Sequence, residues 1–369
     1  MKNIAIDLTS LEDNFSGIER VCLNITKELI KSNSFNFHLF FRKEIKCFST
    51  EELSKSNIFT HIINKNRFIS LLFWLPKDIN KLNPDIAFFI GFPPSPLIKY
   101  NKSIKVIPLI YDLVCFDCPK TMKTFSKFYF QFGIKKALTK SQLIFTISEF
   151  SKERIIDRLK YSGKIVVLPM GVTSNKKESI NFDLIQKRYN LPDEYLFSLS
   201  TLEPRKNFLW MIKALNELYS TDHNIPDIVI GGRYGWKNKE IFTIISNENR
   251  EKFHFIGFVD DNDLSGIYEN SKLFIFPSKY EGFGLPVLES LFYDALPIVS
   301  NIPTNVEILG KDYNFIFDLD DENEFYNKLL FLCSLSNYDR LNMTKNQKNK
   351  CNFEWSETTK VIIKNFLEK

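Results

Sequence analysis

Short apolar runs that favour β-strands alternate with stretches of helical periodicity along most of this chain. In the first half the pattern predicts strands at 3–8, 36–41, 85–90, 105–110, 142–147 and 164–168, with helices at 17–31, 124–138 and 149–160. The alternation then restarts, with strands at 195–199, 227–230, 253–256, 273–276 and 297–299 and helices at 208–219, 238–246, 263–269 and 286–293. Short apolar strands separated by helices indicate buried parallel sheets.

Two successive series of this kind predict an α/β protein with two doubly wound, Rossmann-like lobes that face a cleft. The expected domains are residues 1–172 and 173–352, joined by a polar, Gly-containing hinge near residues 170–177. Because ligands bind beyond the carboxyl ends of the strands in open parallel sheets, the residues that follow each strand are the candidates for function.

The composition is that of a globular protein, with 44% apolar and 25% charged residues, which excludes a disordered or disulfide-scaffold protein. Residues 1–170 hold 26 basic and 15 acidic residues, whereas the other 199 residues hold 23 and 29, so the net charges are +11 and −6. A basic half is expected to face an anionic partner. No RRM, KH or zinc-finger signature indicates nucleic-acid binding. The remaining interpretations of the basic half are that it faces an anionic membrane or that it is a solvated surface without a partner.

Cysteine and histidine usage argues against a metal centre. The six cysteines are scattered, Cys115 and Cys118 form the only close pair, and the four histidines follow no metal-binding spacing. No export signal is recognisable, so the thiols are expected to be reduced in the cytoplasm. No apolar run approaches the roughly 18 residues that a transmembrane helix requires.

The strongest candidate site follows the strand at 273–276. It contains two carboxylates eight residues apart, Glu281 in a loop and Glu289 in the next helix. Between them lie the backbone amides of Gly282, Phe283, Gly284 and Leu285. Glycines let backbone N–H groups approach a ligand, and a helix N-terminus favours an anion. The carboxylates are therefore expected to flank a ligand whose charged part the amides bind; a tight strand-to-helix turn is the structural alternative.

Two adjacent cations, Arg205 and Lys206, follow the strand at 195–199 and are expected at the start of the next helix. Arginine can bind phosphate oxygens in a bidentate manner, and lysine adds a mobile point charge. Such cations can neutralise a diphosphate that leaves without the help of a metal. An Arg-Lys pair on the surface of a helix is the alternative, but the position after a strand favours function.

Weaker candidates follow three strands of the first half. Gly17 opens a long helix and offers a place for a diphosphate, although no G-x-G-x-x-G is present. Tyr111 and Asp112 follow the strand at 105–110, and Ser148 is placed both to cap the next helix and to contact an acceptor.

Together these blocks resemble the family-4 retaining glycosyltransferases, which have the GT-B fold. The resemblance covers nearly the whole chain and rests on segments in the family's order: Asp7 to Arg20, Thr146 to Ser151, Leu202 to Asn207 (LEPRKN), the E-x7-E motif from Glu281 to Glu289, Ser300 to Glu307, and Phe353 to Phe366. Three positions depart from the pattern. Tyr111 stands where many relatives have His, Ser200 where Gly is usual, and Asp294 in a turn that is one residue longer.

The resemblance implies roles for the candidate residues. Glu281 would contact the donor sugar, and Glu289 would bind the ribose of the nucleotide. Arg205 and Lys206 would hold the diphosphate, and the amides of residues 282–285 would receive sugar hydroxyls and phosphate. Gly17 would leave room for the diphosphate from the opposite lobe. Contacts to the sugar or acceptor would come from Tyr111, Asp112 and Ser148. Residues 353–369 would form a helix that crosses back to the first domain.

The implied activity is that of a metal-independent retaining hexosyltransferase without a cofactor, whose donor is a nucleotide-diphosphate sugar. The LEPRKN block favours GDP-mannose, and UDP-hexoses stay open. The acceptor would be a saccharide, free or linked to polyprenyl diphosphate, in the synthesis of O-antigen or capsule. The protein would be cytoplasmic, or peripheral on the inner face of the cytoplasmic membrane, with the aromatic and basic segment 124–136 on anionic lipid. A non-catalytic two-lobed sugar or nucleotide binder and a NAD-dependent oxidoreductase or epimerase are the alternatives.

Overall fold

The computed structural model describes residues 1–12, 17–173, 181–221, 224–235 and 239–368, apart from the side chains of Phe68 and Lys239. This part of the chain divides into two compact units: residues 1–171 with 354–369 (unit 1) and residues 172–353 (unit 2). Residues 174–177 of the predicted hinge lie outside the described residues.

Unit 1 is built on a seven-stranded sheet in which all neighbouring pairs are parallel. Its strands are β1 (Lys2–Asp7), β2 (Phe35–Phe41), β3 (Ile58–Ile62), β4 (Ile86–Phe89), β5 (Lys105–Ile110), β6 (Leu143–Thr146) and β7 (Lys164–Val167). They lie in the order β3-β2-β1-β4-β5-β6-β7. The central strands consist largely of buried Ile, Phe and Ala because helices cover both faces of the sheet.

The helices of unit 1 are α1 (Gly17–Leu29), α2 (Thr50–Leu53), α3 (Arg67–Ile69), α4 (Leu75–Leu82), α5 (Val114–Asp117), α6 (Thr124–Leu138) and α7 (Glu149–Leu159). A π-helical turn, Ser70–Trp74, joins α3 to α4. The last helix of the chain (Trp355–Leu367), numbered α16 below, also belongs to unit 1. Its Phe366 is fully buried against the rings of Phe35, Phe88 and Phe145.

Unit 2 contains a six-stranded parallel sheet. Its strands are β8 (Tyr195–Leu199), β9 (Asp227–Gly231), β10 (Phe253–Gly257), β11 (Leu273–Phe276), β12 (Pro297–Ser300) and β13 (Ile316–Phe317), in the order β10-β9-β8-β11-β12-β13. The helices are α8 (Phe182–Tyr189), α9 (Phe208–Thr221), α10 (Lys239–Thr243), α11 (Asp261–Glu269), α12 (Leu285–Phe292), α13 (Pro303–Leu309), α14 (Glu322–Ser334) and α15 (Asn337–Lys348).

Two doubly wound parallel α/β domains are thus confirmed. The structure adds elements that the sequence pattern did not predict, notably β3, α4, α8, β13, α14 and α15. The helix predicted at 238–246 is shorter and runs from Lys239 to Thr243 among the described residues.

Candidate functional site

The strand order of unit 2 reverses between β8 and β11. From β8 the sheet extends through β9 and β10, and from β11 it extends the other way through β12 and β13. Loops that leave two such strands diverge over opposite faces of the sheet, and the crevice between them is where open α/β sheets bind ligands. Both strong candidate segments begin here, since residues 200–207 follow β8 and residues 277–284 follow β11.

Four charged side chains of these two loops form one ion cluster (Glu203, Arg205, Lys206 and Glu281). Arg205 Nη1 donates to Glu281 Oε2 at 2.7 Å and to the Tyr280 carbonyl at 2.8 Å. Arg205 Nη2 donates to Glu203 Oε1 at 2.7 Å, and Lys206 Nζ donates to Glu281 Oε1 at 2.7 Å. Glu281 therefore accepts one cation on each oxygen.

Burial and charge set the ionisation of this cluster. Burial alone would raise the pKa of Glu281, but the positive charges of Arg205 and Lys206 outweigh it together and lower that pKa to about 2. Burial lowers the pKa of Lys206, and the negative charge of Glu281 opposes that change. An ammonium group carries three N–H donors, so Lys206 can bind an anion without releasing Glu281.

Backbone geometry holds the two cations beside β11. Arg205 and Lys206 lie in a 3-10 turn, Pro204–Lys206, and not at the start of the next helix as predicted. The turn ends because Asn207 takes the left-handed conformation, with φ 59°. The Lys279 N–H donates to the Arg205 carbonyl at 2.9 Å and so ties the two loops together.

Gly232, at the end of β9, supports the loop after β8. Its φ is +132°, and a Cβ at this position would lie 1.8 Å from the carbonyl oxygen of Ser200. Only glycine permits this approach of two backbones. Gly232 was not among the predicted site residues, although two glycines at the end of a predicted strand were a signal for it.

The loop after β11 enters α12 at Gly284, whose φ is +119°. Pro286 lies in the first turn, where its missing N–H costs no hydrogen bond. The first-turn N–H groups of a helix lack intrahelical acceptors and carry the positive end of the dipole. Glu289 is buried in α12 and accepts a long hydrogen bond of 3.4 Å from the Tyr268 hydroxyl.

Two further polar groups, at the start of α13, were not among the predicted site residues. Asn305 Oδ1 and Thr304 Oγ1 are buried without a hydrogen-bond partner in the described part of the chain. The Asn305 oxygen lies 3.4 Å from the position that a Cβ on Gly284 would occupy. Glu203 was also missed, although an acid two residues before Arg205 was visible in the sequence.

The candidates of unit 1 lie near the reversal of its own strand order, between β1 and β4. Asp7, at the end of β1, is buried, and its Oδ1 accepts from N and Oγ1 of Thr9 at 2.9 and 2.6 Å. Burial raises the pKa of Asp7 to about 6, although both bonds from Thr9 oppose the change. The Tyr111 hydroxyl donates to the Ile90 carbonyl at 2.8 Å, which directs the ring into the interior of unit 1.

The remaining unit 1 candidates serve the local backbone. Ser148 caps α7 by accepting a hydrogen bond from the Ser151 N–H at 3.0 Å, as expected of an N-cap. Asp112 accepts from the Val114 N–H at 3.0 Å. Gly17 is the first residue of α1, and residues 13–16 before it lie outside the described residues.

Within the described residues, no group of three or more His, Cys, Asp or Glu side chains has an arrangement that could hold a metal ion. No helix of the described ranges combines the length and apolar character needed to cross a bilayer.

Residues 181–350, nearly all of unit 2, match the family described as glycosyl transferases group 1. The chain is 27% identical over 222 residues to O-antigen chain mannosyltransferase B of Escherichia coli, covering 59% of this chain and 58% of that protein. It is 31% identical over 209 residues to the UDP-Gal:alpha-D-GlcNAc-diphosphoundecaprenol alpha-1,3-galactosyltransferase of Escherichia coli, covering 54% and 51%. The matches thus span little more than half the length of these curated relatives.

A solved structure shows the same fold over both units. The crystal structure of a glycosyltransferase from Rickettsia africae ESF-5 superimposes with a TM-score of 0.69, covering 99% of this chain and 97% of that chain. The sequence identity is 17%, so this likeness establishes the shared GT-B fold and nothing about substrates.

Proposed function

Because residues 181–350 match the group 1 glycosyl transferases and the chain has the GT-B fold, we propose that it transfers a hexosyl group from a nucleotide-diphosphate sugar to a saccharide. The observation that carries the proposal is the ion cluster at the strand reversal of unit 2, beside the N-terminus of α12. Paired cations and a helix N-terminus suit a diphosphate. The family match favours transfer over a non-catalytic binder or a NAD-dependent oxidoreductase.

In the proposed reaction, the bond between the anomeric carbon and the phosphate oxygen breaks, and its electron pair leaves with the nucleoside diphosphate. Arg205 and Lys206 stabilise the negative charge that develops on this leaving group. The acceptor hydroxyl oxygen bonds to the anomeric carbon, and its proton passes to the departing phosphate. The anomeric configuration is retained, an outcome that either front-face attack or a covalent intermediate provides.

The acidic residues have separate roles in this proposal. Glu281, held between both cations, accepts hydrogen bonds from hydroxyls of the donor sugar. Glu289 binds the ribose hydroxyls from within α12. The amides of residues 282–285 bind phosphate and sugar at the start of that helix, where the dipole favours negative charge.

The proposed donor is GDP-mannose. The relative named as an O-antigen chain mannosyltransferase supports mannose as the transferred sugar. The relative whose name gives UDP-Gal as its donor makes a UDP-hexose the alternative. Release of nucleotide from GDP-mannose, UDP-galactose and UDP-glucose, measured side by side, decides between them. Turnover of a UDP-sugar without turnover of GDP-mannose would contradict the mannose proposal.

The proposed acceptor is a saccharide, free or carried on polyprenyl diphosphate, in the synthesis of O-antigen or capsule. A lipid carrier would place the enzyme at the inner face of the cytoplasmic membrane. The net charge of +11 on residues 1–170 supports association with anionic lipid there.

Substitution of the ion cluster tests the proposed catalytic role. Lys206→Ala and Glu281→Ala should each lower donor turnover by roughly two to four decades, because a group that stabilises leaving-group charge or the donor sugar is lost. Lys279→Ala is the matched control, since this lysine is exposed in the same loop. Wild-type rates in both cluster variants, with the fold verified by thermal unfolding, would rule out the site.

Chelation tests the proposal that no metal takes part. Since Arg205 and Lys206 supply the positive charge, nucleotide release should be the same in excess EDTA and in excess Mg²⁺. A fall of about tenfold or more in EDTA that Mg²⁺ restores would show that an ion neutralises the diphosphate.

A further inference from the structure

Helix α6 carries an exposed stripe of phenylalanines on the side turned away from the core of unit 1. Phe125, Phe128 and Phe132 follow the i, i+3, i+7 spacing of one helix side, and their exposed fractions are 56%, 51% and 68%. The opposite side is buried through Tyr129, Ile134 and neighbouring small residues. Three large rings aligned in contact with water mark an interaction surface.

The same side of α6 leads into a basic depression. Lys135 lies one turn beyond Phe132 and lines a depression of about 670 Å³ together with Arg158 and Lys160. The described residues that line it include these three cations and no carboxylate. Apolar rings and a cationic hollow therefore lie next to each other along one helix.

This combination matches the two parts of an anionic phospholipid. Apolar rings at a membrane surface enter the boundary between headgroups and acyl chains, and basic residues beside them attract the anionic headgroups. Lys127 Nζ lies 4.6 Å from the centre of the Phe128 ring, so positive charge accompanies the stripe as well as the depression. Long basic side chains can lie along apolar groups while their charges stay at the headgroup level.

We propose that the α6 stripe and the basic depression dock the protein on an anionic lipid bilayer. Phe125, Phe128 and Phe132 enter the interface, and Lys135, Arg158 and Lys160 bind phosphate groups of the lipids. The inference rests on the membrane association proposed above and gives it a surface, but it uses no residue of the donor site.

Vesicle sedimentation tests the docking surface with the full chain. Wild-type protein should sediment with vesicles of phosphatidylcholine and phosphatidylglycerol and stay in solution with phosphatidylcholine alone. The double variant Phe128→Ser with Phe132→Ser should weaken binding to anionic vesicles at least about tenfold, because two rings that enter the bilayer are lost. Lys135→Glu with Arg158→Glu should do the same through charge. Lys160 is left unchanged because it takes the left-handed conformation at the end of α7, with φ 53°.

Matched controls lie in unit 2. Phe331→Ser on α14 removes a ring of similar exposure, 50%, and Lys213→Glu on α9 reverses an exposed charge. Both controls should bind vesicles like the wild type. Nucleotide release in vesicle-free solution should be unchanged in all six substitutions, which separates a loss of docking from a loss of the proposed catalysis.

Three results would overturn the proposal. One is equal sedimentation of the wild type with both kinds of vesicle. Another is anionic binding that survives both double variants. The third is binding that requires polyprenyl diphosphate in the vesicles, which would assign the surface to the acceptor and not to membrane lipid.

Discussion

Two buried carboxyl groups of this chain have pKa values that are shifted in opposite directions. Glu281 is held ionised by Arg205 and Lys206, whereas Asp7 has only Thr9 as a hydrogen-bond donor, and its Oδ2 has no partner in the described chain. The difference follows from pairing, since burial without a cation favours the neutral acid. The sequence shows both acids, but the environment of each depends on strand order, which brings residue 205 beside residue 281.

Asp7 should make stability depend on pH. Its folded pKa of about 6 exceeds the ordinary value of 3.8, so the folded chain binds this proton more tightly than the unfolded chain. The contribution of Asp7 to the free energy of unfolding is therefore complete at low pH and is lost as the pH rises through 6. At neutral pH this loss lowers the free energy of unfolding by up to about 3 kcal/mol.

Chemical denaturation between pH 4 and pH 8 measures this effect. Asp7→Asn should be more stable than the wild type at pH 7 and should lack the decline between the two pKa values. Asp157→Asn, at an exposed position, should keep the decline. An unchanged decline in Asp7→Asn would show that another group causes it.

At the scale of elements, the sequence was most informative where strands are buried on both faces. The apolar runs of β1, β4, β8 and β11 are typical of strands that are buried on both faces, and all four strands were predicted. The edge strand β3 was missed because it is largely exposed and mixes apolar with polar residues. The strand β13 was missed because it has only two residues. The 3-10 turn at residues 204–206 was read as a helix start because local sequence does not reveal the left-handed Asn207.

The close approach of β9 to the loop after β8 should make Gly232 intolerant of a side chain. Gly232→Ala places a Cβ against the Ser200 carbonyl and should lower the free energy of unfolding by about 3 kcal/mol or more. Gly257→Ala is the matched control, since its φ is +68° but no atom of the described chain lies within 4 Å of the new Cβ. It should lose about 1–2 kcal/mol. Equal losses in urea titrations would contradict the close approach.

At the scale of the whole molecule, the pattern of strands predicted two α/β domains, and the family resemblance added the helix that returns to the first of them. Periodicity alone could not show that α16 completes unit 1, because its sequence has the pattern of an ordinary amphipathic helix. Its role depends on Phe366, which meets rings from three separate strands, β2, β4 and β6.

Phe366→Ala should leave a cavity in the core of unit 1 and destabilise that unit by about 3–5 kcal/mol. Calorimetry of the full chain should show the transition of unit 1 at a lower temperature, while nucleotide binding to unit 2 persists at 25 °C. Phe331→Ala, at a half-exposed ring, should change neither. A fall confined to unit 2 would be inconsistent with the contacts of α16.

The return of α16 has a consequence for the order in which the protein matures on the ribosome. Translation supplies residues 172–353 as one uninterrupted stretch, whereas residues 1–171 must wait for residues 354–369. Unit 2 can therefore fold on the ribosome before unit 1 is complete. Until Phe366 leaves the exit tunnel, the rings of Phe35, Phe88 and Phe145 lack the partner that covers them, and they form a surface that a chaperone could recognise.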